Sequence, residues 1–267
     1  MSKSEHVNTN WRLANWEERA DLYDLFVEDR TRDIAFYTGF ANETGGPVLE
    51  VGCGSGRILL PIAARGHQGV GVDFSNKMLD RFRRRLSRED DVVASRIKLL
   101  CQDIAATPLE KDTFSLVFFA FGMLGFLIEE GEAARAVSNA ARSLKPGGTL
   151  IVERRNRFAD RYHTAREFDW IKKWPEKSAT VCQSHTDLIV DSTRQIRQTL
   201  YFYEGIDSAG QHFAFQQVLY FREFSSLEIE ELLRSAGLQV TNYFGDYDRR
   251  PFAPDQPRII VVAQKVD

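Results

Sequence analysis

The stretch from Val48 to Gly56 constrains this 267-residue chain more than any other. It reads V-L-E-V-G-C-G-S-G: a short apolar run, an acid at Glu50, then Gly52, Gly54 and Gly56 on alternating positions. An apolar, β-branched run ending in glycines reads as a buried strand entering a tight turn. From Arg57 to Arg65 the apolar residues recur at helical spacing, so the unit is strand, glycine turn, helix. Glycine serves such a turn by reaching backbone angles closed to other residues and by letting another group approach the main chain. The spacing is G-x-G-x-G with an acid two residues ahead, whereas the dinucleotide fingerprint on a comparable turn is G-x-G-x-x-G.

The length suffices for one large α/β domain with a substantial core. An apolar content of 43%, a charged content of 27% and a net charge of −3 describe a soluble globular chain and point to neither a nucleic-acid nor a membrane partner. Met1 to Asn10 is polar, so no signal peptide is read there. The longest apolar run, Leu116 to Ile128, is too short to span a bilayer. Cys53, Cys101 and Cys182 are far apart and form no C-x-x-C pair. That argues against a disulfide framework or a zinc site, so no metal is expected and a reducing cytoplasm is the expected compartment.

Helices are expected over Trp11 to Glu28 and Thr31 to Ala41, with Asn42 to Pro47 as a break. Gln68 to Phe74 reads as a second strand ending in Asp73, and Ser75 as the N-cap of a helix that turns Met78, Leu79, Phe82 and Leu86 to the sheet. Arg81, Arg83, Arg84 and Arg85 are followed at once by Glu89, Asp90 and Asp91, which reads as a solvated helix face. Strands follow at Arg96 to Cys101, closed by Gln102-Asp103-Ile104, and at Ser115 to Phe121, an apolar run suited to a central parallel strand. A helix over Glu132 to Leu144 is stopped by Lys145-Pro146-Gly147-Gly148 ahead of a fifth strand, Thr149 to Glu153. This alternation predicts a parallel sheet with helices on both faces. The pattern then changes. Asn156 to Ser184 reads as irregular, and Gln195 to Ile206 and Gln211 to Arg222 as a hairpin turning at Asp207 to Gly210. Ser225-Ser226-Leu227-Glu228 is a capping box, and Leu238 to Gly245 and Arg258 to Gln264 read as the last strands.

The glycine turn with Glu50, the acids Asp73 and Asp103 closing the second and third strands, and L-K-P-G-G before the fifth together resemble the class I S-adenosylmethionine (SAM) dependent methyltransferases, small-molecule type. The resemblance covers nearly the whole chain. It implies an α/β, Rossmann-like, mostly parallel sheet of seven strands with helices on both faces, an antiparallel last strand, and an antiparallel β insertion toward the C-terminal half. One methyltransferase domain, 1–267, would comprise a helical lid (1–45), a SAM-binding core (46–154), a substrate-covering β insertion (155–224) and a closing helix with a strand pair (225–267). The cofactor implied is SAM, with S-adenosylhomocysteine (SAH) as product. By the same resemblance Asp73 would hold the ribose hydroxyls, Asp103 the adenine amino group and the Ile104 amide a ring nitrogen. Tyr23, beside Asp24, would close the site. Glu50, Gly52, Cys53, Gly54, Gly56, Phe74, Met78, Ala120 and Phe121 complete the expected cofactor set. Gly122 stands where many relatives carry an asparagine, so no polar side chain is expected there.

The implied reaction is methyl transfer to a nitrogen or oxygen of a small molecule, by a monomer or homodimer. A nicotinamide-dependent oxidoreductase and a protein or RNA methyltransferase are the other classes considered. The glycine spacing opposes the first, and a basic face or appended module for the second is not visible. Ligands of open α/β sheets bind outside the carboxyl ends of the strands, and the insertion leaves the sheet at that edge. Arg155, Asn156, Tyr201, Tyr203 and Arg222 are therefore the expected acceptor residues, the arginines suited to a carboxylate or phosphate. No catalytic base declares itself: His67 sits in a remote connection, and His163, His185 and His212 fall in the insertion. That favours an amine or an already acidic acceptor. Calorimetric titration should show binding of SAM and SAH and none of NADH; tight NADH binding without SAM or SAH would overturn the resemblance.

Overall fold

The structure, a computed structural model, describes residue 20 and residues 22–156 and 166–266. The expectation for Trp11 to Glu28 therefore lies largely outside the described residues; within it, residues 22–27 form a helix, α1. There follow α2 (Arg32–Thr44), β1 (Val48–Val51), α3 (Leu59–Ala64), β2 (Gly69–Asp73), α4 (Asn76–Leu86), a short α5 (Asp91–Ala94), β3 (Ile97–Cys101), β4 (Phe114–Phe119), α6 (Glu132–Ser143) and β5 (Leu144–Arg155). The second half holds β6 (Glu167–Trp174), β7 (Ala179–Asp191), β8 (Ile196–Ile206), β9 (His212–Arg222), α7 (Ser226–Ser235), β10 (Leu238–Phe244) and β11 (Arg258–Lys265).

The main sheet has seven strands in the order β10-β11-β5-β4-β1-β2-β3. β1, β2, β3, β4 and β5 pair in parallel, while β11 runs antiparallel to both β5 and β10. β1 lies between β2 and β4, which explains its unbroken burial: both its faces are covered. Alternation along β4 sends Val117 and Phe119 into one core, with Ala136 and Val137 of α6 and Ile229 and Leu233 of α7. Leu116 and Phe118 enter the opposite core, with Tyr37 of α2, Ile62 of α3 and Phe82 of α4. Each such fully buried side chain contributes about 1.5–3 kcal/mol relative to exposure. No helix among the described residues is long and apolar enough to cross a membrane.

The Ser75 and Ser225 caps form as expected: Ser75 Oγ accepts from the Met78 amide at 3.3 Å, and Ser225 with Glu228 makes a complete capping box. Three expectations are corrected. The segment Asn156 to Ser184 is not irregular, because 167–174 and 179–184 lie in β6 and β7. The insertion is consequently a four-stranded antiparallel sheet, β6-β7-β8-β9, rather than a hairpin. Charged and aromatic residues hid its alternation, since one of its faces buries polar groups such as Gln183 and Asp187. Pairing of the fifth strand begins at Leu144, and L-K-P-G-G forms a register irregularity opposite Phe114 and Leu116. Finally, Arg81 is not part of a solvated face. Its side chain is 11% exposed and pairs with Asp24 and Glu176, binding α4 to α1 and to the insertion.

A buried ionic chain holds the two sheets together. Arg154 of β5 donates to Glu223 and to the Phe224 carbonyl. Arg197 of β8 donates to the other Glu223 oxygen at 2.9 Å and to Asp187 of β7 at 2.7 Å. Burial alone would lower the pKa of Arg197, but Glu223 and Asp187 overcome it and hold the guanidinium charged. Removing Glu223 would leave two arginines buried without their shared acceptor. Glu223→Ala should cost about 3–5 kcal/mol, read as a lowered urea midpoint at unchanged slope. A loss within the range of an exposed pair, about 1 kcal/mol, would show that the chain does not hold the sheets together.

Candidate functional site

The glycine turn leaves β1 at the centre of the sheet, and backbone geometry accounts for its composition. Gly52, Gly54 and Gly56 all take positive φ, at 72°, 54° and 79°. The turn is tied to the end of β2. The Gly52 amide donates to the Val72 carbonyl at 2.7 Å, and the Asp73 carboxylate accepts from the amides of Gly54 and Ser75, both at 2.9 Å. A Cβ on Gly54 would lie 3.0 Å from Met78 Cε and 3.6 Å from the Tyr23 ring. α1 holds that ring in place through Asp24, which accepts from Ser55 Oγ at 2.5 Å and from Arg81 at 2.8 Å.

One cavity begins at this turn. Its lining includes Tyr23, Gly52, Gly54, Asp73, Phe74 and Met78, then Ala120 and Phe121 at the end of β4. Phe121 has a positive φ of 55°, unusual for a residue with a side chain, and its amide donates to Glu153 Oε2 at 2.5 Å. Glu153, fully buried in β5, also accepts from Arg258 of β11 at 2.7 Å. The cavity continues under the insertion, where Arg155, Tyr201 and Arg222 line it with Leu219 and Phe221.

The remaining expected residues lie outside this lining. Glu50 accepts from the Leu59 amide at 3.1 Å, and burial pushes its carboxyl well above the usual range. It thereby fixes the start of α3. Gly56 packs on Phe82, where a Cβ would overlap the ring. The Cys53 thiol faces Gly71 and is raised in pKa by burial. Asp103 accepts from the Ala105 amide at 2.8 Å, and the buried Ile104 accepts from Asn139 at 2.7 Å. Asn156 donates to the carbonyls of Pro254 and Gln256, anchoring the last loop. Tyr203 stacks on Phe215 at 4.9 Å within the insertion's own core. In the last loop Arg249 pairs with Glu43.

Sequence reasoning passed over Arg30, Glu153, Arg154, Arg197 and Arg258, all of which line the cavity together with Glu223. Charged residues within otherwise apolar strands, such as Glu153 and Arg154 after L-I-V, were the available signal. Arg222, expected to meet the acceptor, donates to Glu228 at 3.0 Å and lies over Phe224. Burial and the charges of Arg258, Arg155 and Arg57 lower the pKa of Arg30.

These residues fit SAM. A positive-φ glycine whose missing side chain leaves room beside Tyr23 and Met78, and a carboxylate at the end of β2, open onto the same cavity. Gly54, Tyr23 and Met78 would border the bound cofactor, and Asp73 would accept from its hydroxyls. Gly54→Val should abolish SAH binding while costing about 1–3 kcal/mol in backbone strain. Gly56→Ala should act chiefly on stability through the Phe82 clash. Both are read by calorimetry and thermal melting, and SAH binding by Gly54→Val at wild-type affinity would make that turn structural only.

Comparison with known proteins agrees with this geometry. Residues 48–148 match the model of the methyltransferase domain family. Demethylmenaquinone methyltransferase of Clavibacter sepedonicus is 29% identical over 145 residues, an alignment covering 52% of this chain and little more than half, 56%, of that protein. The cypemycin N-terminal methyltransferase of a Streptomyces species is 24% identical over 251 residues, covering 93% of this chain and 95% of the other. Among solved structures, the CcbJ methyltransferase from Streptomyces caelestis superposes with a TM-score of 0.78 at 23% identity, over 96% of this chain and 99% of that one. Residues 48–148 therefore match a methyltransferase domain, and the chain as a whole shares its fold with the CcbJ methyltransferase.

Proposed function

We propose that the chain methylates a nitrogen of a small-molecule acceptor seated beneath the insertion sheet. The observation that carries this reading is the continuity of one cavity from Gly54 and Asp73, at the carboxyl ends of β1 and β2, to Tyr201 and Arg222 on the insertion. A cofactor on the turn and an acceptor under the insertion would then share one enclosed space, which is what methyl transfer needs: two reactants aligned and water excluded. α1 acts as the lid on the cofactor side, with Tyr23 closing over Gly54, and the insertion covers the acceptor side.

The chemistry SAM supplies when bound is an electrophilic methyl on a sulfonium, displaced in line by a nucleophile. An oxygen nucleophile needs a base within hydrogen-bond reach, whereas an amine needs only its neutral lone pair. Among the described residues, the two carboxylates lining the acceptor end are both engaged: Glu153 with Arg258 and the Phe121 amide, Glu223 with Arg154 and Arg197. Neither is set to take a proton from an alcohol. An amine would attack through its lone pair and release its proton to water afterwards, with no base needed from the described residues. The cypemycin relative, aligned over most of both chains, is by its name an N-terminal methyltransferase, which supports nitrogen.

The test is incubation with SAM and a panel of small amines, alcohols and phenols, read by mass spectrometry for a gain of one methyl with matching SAH release. The chemical shift of a carbon-13-labelled methyl then assigns the atom. Methylation on nitrogen is expected; products methylated only on oxygen or carbon would overturn the proposal.

A further inference from the structure

Arg30 stands in the connection between α1 and α2 and lines the cavity. Its backbone is held on both sides: its amide donates to the Val27 carbonyl at 2.9 Å, and its carbonyl accepts from Arg57 at 2.7 Å. Arg57 is itself clamped on both oxygens of Asp33, at 2.7 and 2.5 Å. The Arg30 guanidinium rests between aromatic rings, 4.9 Å from the centroid of Phe26 and 5.3 Å from that of Phe121. Those contacts orient a cation without neutralising it. Among the described residues Arg30 forms no ion pair; its side-chain hydrogen bond runs from Nε to the Phe26 carbonyl at 3.5 Å.

The surroundings add positive charge. Arg155 of β5 and Arg258 of β11 are direct cross-strand partners, so their side chains emerge on the same face. Glu153, two residues before Arg155 on the same strand, accepts from Arg258 at 2.7 Å. The neighbouring carboxylates are already committed: Asp33 to Arg57, Glu153 to Arg258, and Asp246 to Arg32 at 2.8 Å and Arg258 at 3.5 Å. The depression of the Arg30 pKa by burial and by Arg258, Arg155 and Arg57 agrees with a local excess of positive charge. A rigid guanidinium in such a place matches a carboxylate or phosphate, whose paired oxygens fit its fork. Phe121 follows β4 and lines the same cavity, so a group held by Arg30 would lie in the space shared by cofactor and acceptor.

We infer that Arg30 binds an anionic group, a carboxylate or a phosphate, on the methyl acceptor. The substrate is then an amine that also carries a negative charge; this names the substrate class of the methyltransferase reading above and rests on it.

The test uses the full chain at low ionic strength, titrated calorimetrically with inorganic phosphate and separately with acetate, with and without saturating SAH. Wild type should bind at least one of the two. Arg30→Gln should weaken that binding about tenfold or more, the loss expected for a charge-assisted contact, at unchanged SAH affinity and melting temperature. Arg30→Lys should retain part of it, because the charge remains and the fork is lost. Binding of phosphate alone assigns a phosphorylated acceptor; comparable acetate binding assigns a carboxylate. Absence of binding of both anions to wild type, or equal binding by Arg30→Gln, would overturn the inference. Anion binding by a protein that fails to bind SAH would leave the anion site standing and overturn the methyltransferase reading.

Discussion

The site exists because a second sheet is held against the first at a fixed height, and buried charge does the holding. Arg154 leaves the main sheet from β5, Arg197 leaves the insertion from β8, and Glu223 accepts from both. Asp187 closes the chain on the far side of Arg197. Four ionised groups, all nearly inaccessible to water, neutralise one another in alternation. Such a network adds little over well-packed apolar residues, because desolvation offsets most of its attraction. What it adds is register: an apolar contact tolerates sliding, whereas a guanidinium shared with a particular carboxylate does not. Arg154, Arg197 and Glu223 also line the cavity, so the joint and the cavity wall are one structure.

The cofactor side is organised by a different constraint, the main chain of the glycine turn. Three positive-φ glycines bend it, and the Asp73 carboxylate draws it to the end of β2 by accepting from the amides of Gly54 and Ser75. The end of β4 is held in a comparable way. Phe121 keeps a left-handed backbone because Glu153 accepts from its amide, and Arg258 secures Glu153 in turn. Two carboxylates near strand ends thus hold the glycine turn and the left-handed Phe121 beside one cavity, and the hydrogen bond from the Phe121 amide lets its strain persist.

The fold was largely legible in advance where one local rule acted alone. Apolar runs covered on both faces gave β1 and β4, the caps at Ser75 and Ser225 gave the starts of α4 and α7, and turn residues at Asp207 to Gly210 gave the β8–β9 hairpin. β7 was missed because its inward positions hold Gln183, His185 and Asp187, polar residues that break the alternation a half-buried strand normally displays. Arg81 was misread for a related reason. Its neighbours Arg83 and Arg84 are exposed, and the acids that bury Arg81, Asp24 and Glu176, are distant in sequence.

Sequence by itself determined that a strand, a glycine turn and a helix open this domain, that acids close the second and third strands, and that the sheet is mostly parallel. Each of these follows from short-range backbone geometry and hydrophobic spacing. Tertiary structure alone decided which of those residues share a space. Glu50 and Gly56 belong to the first motif, yet one fixes α3 and the other packs on Phe82. Arg30, Glu153, Arg197, Glu223 and Arg258 belong to no motif, yet they line the cavity. The physical reason is that charge pairing and burial are set by neighbours in space, from residues as far apart in sequence as Glu153 and Arg258, whereas turns and strands are set by neighbours along the chain.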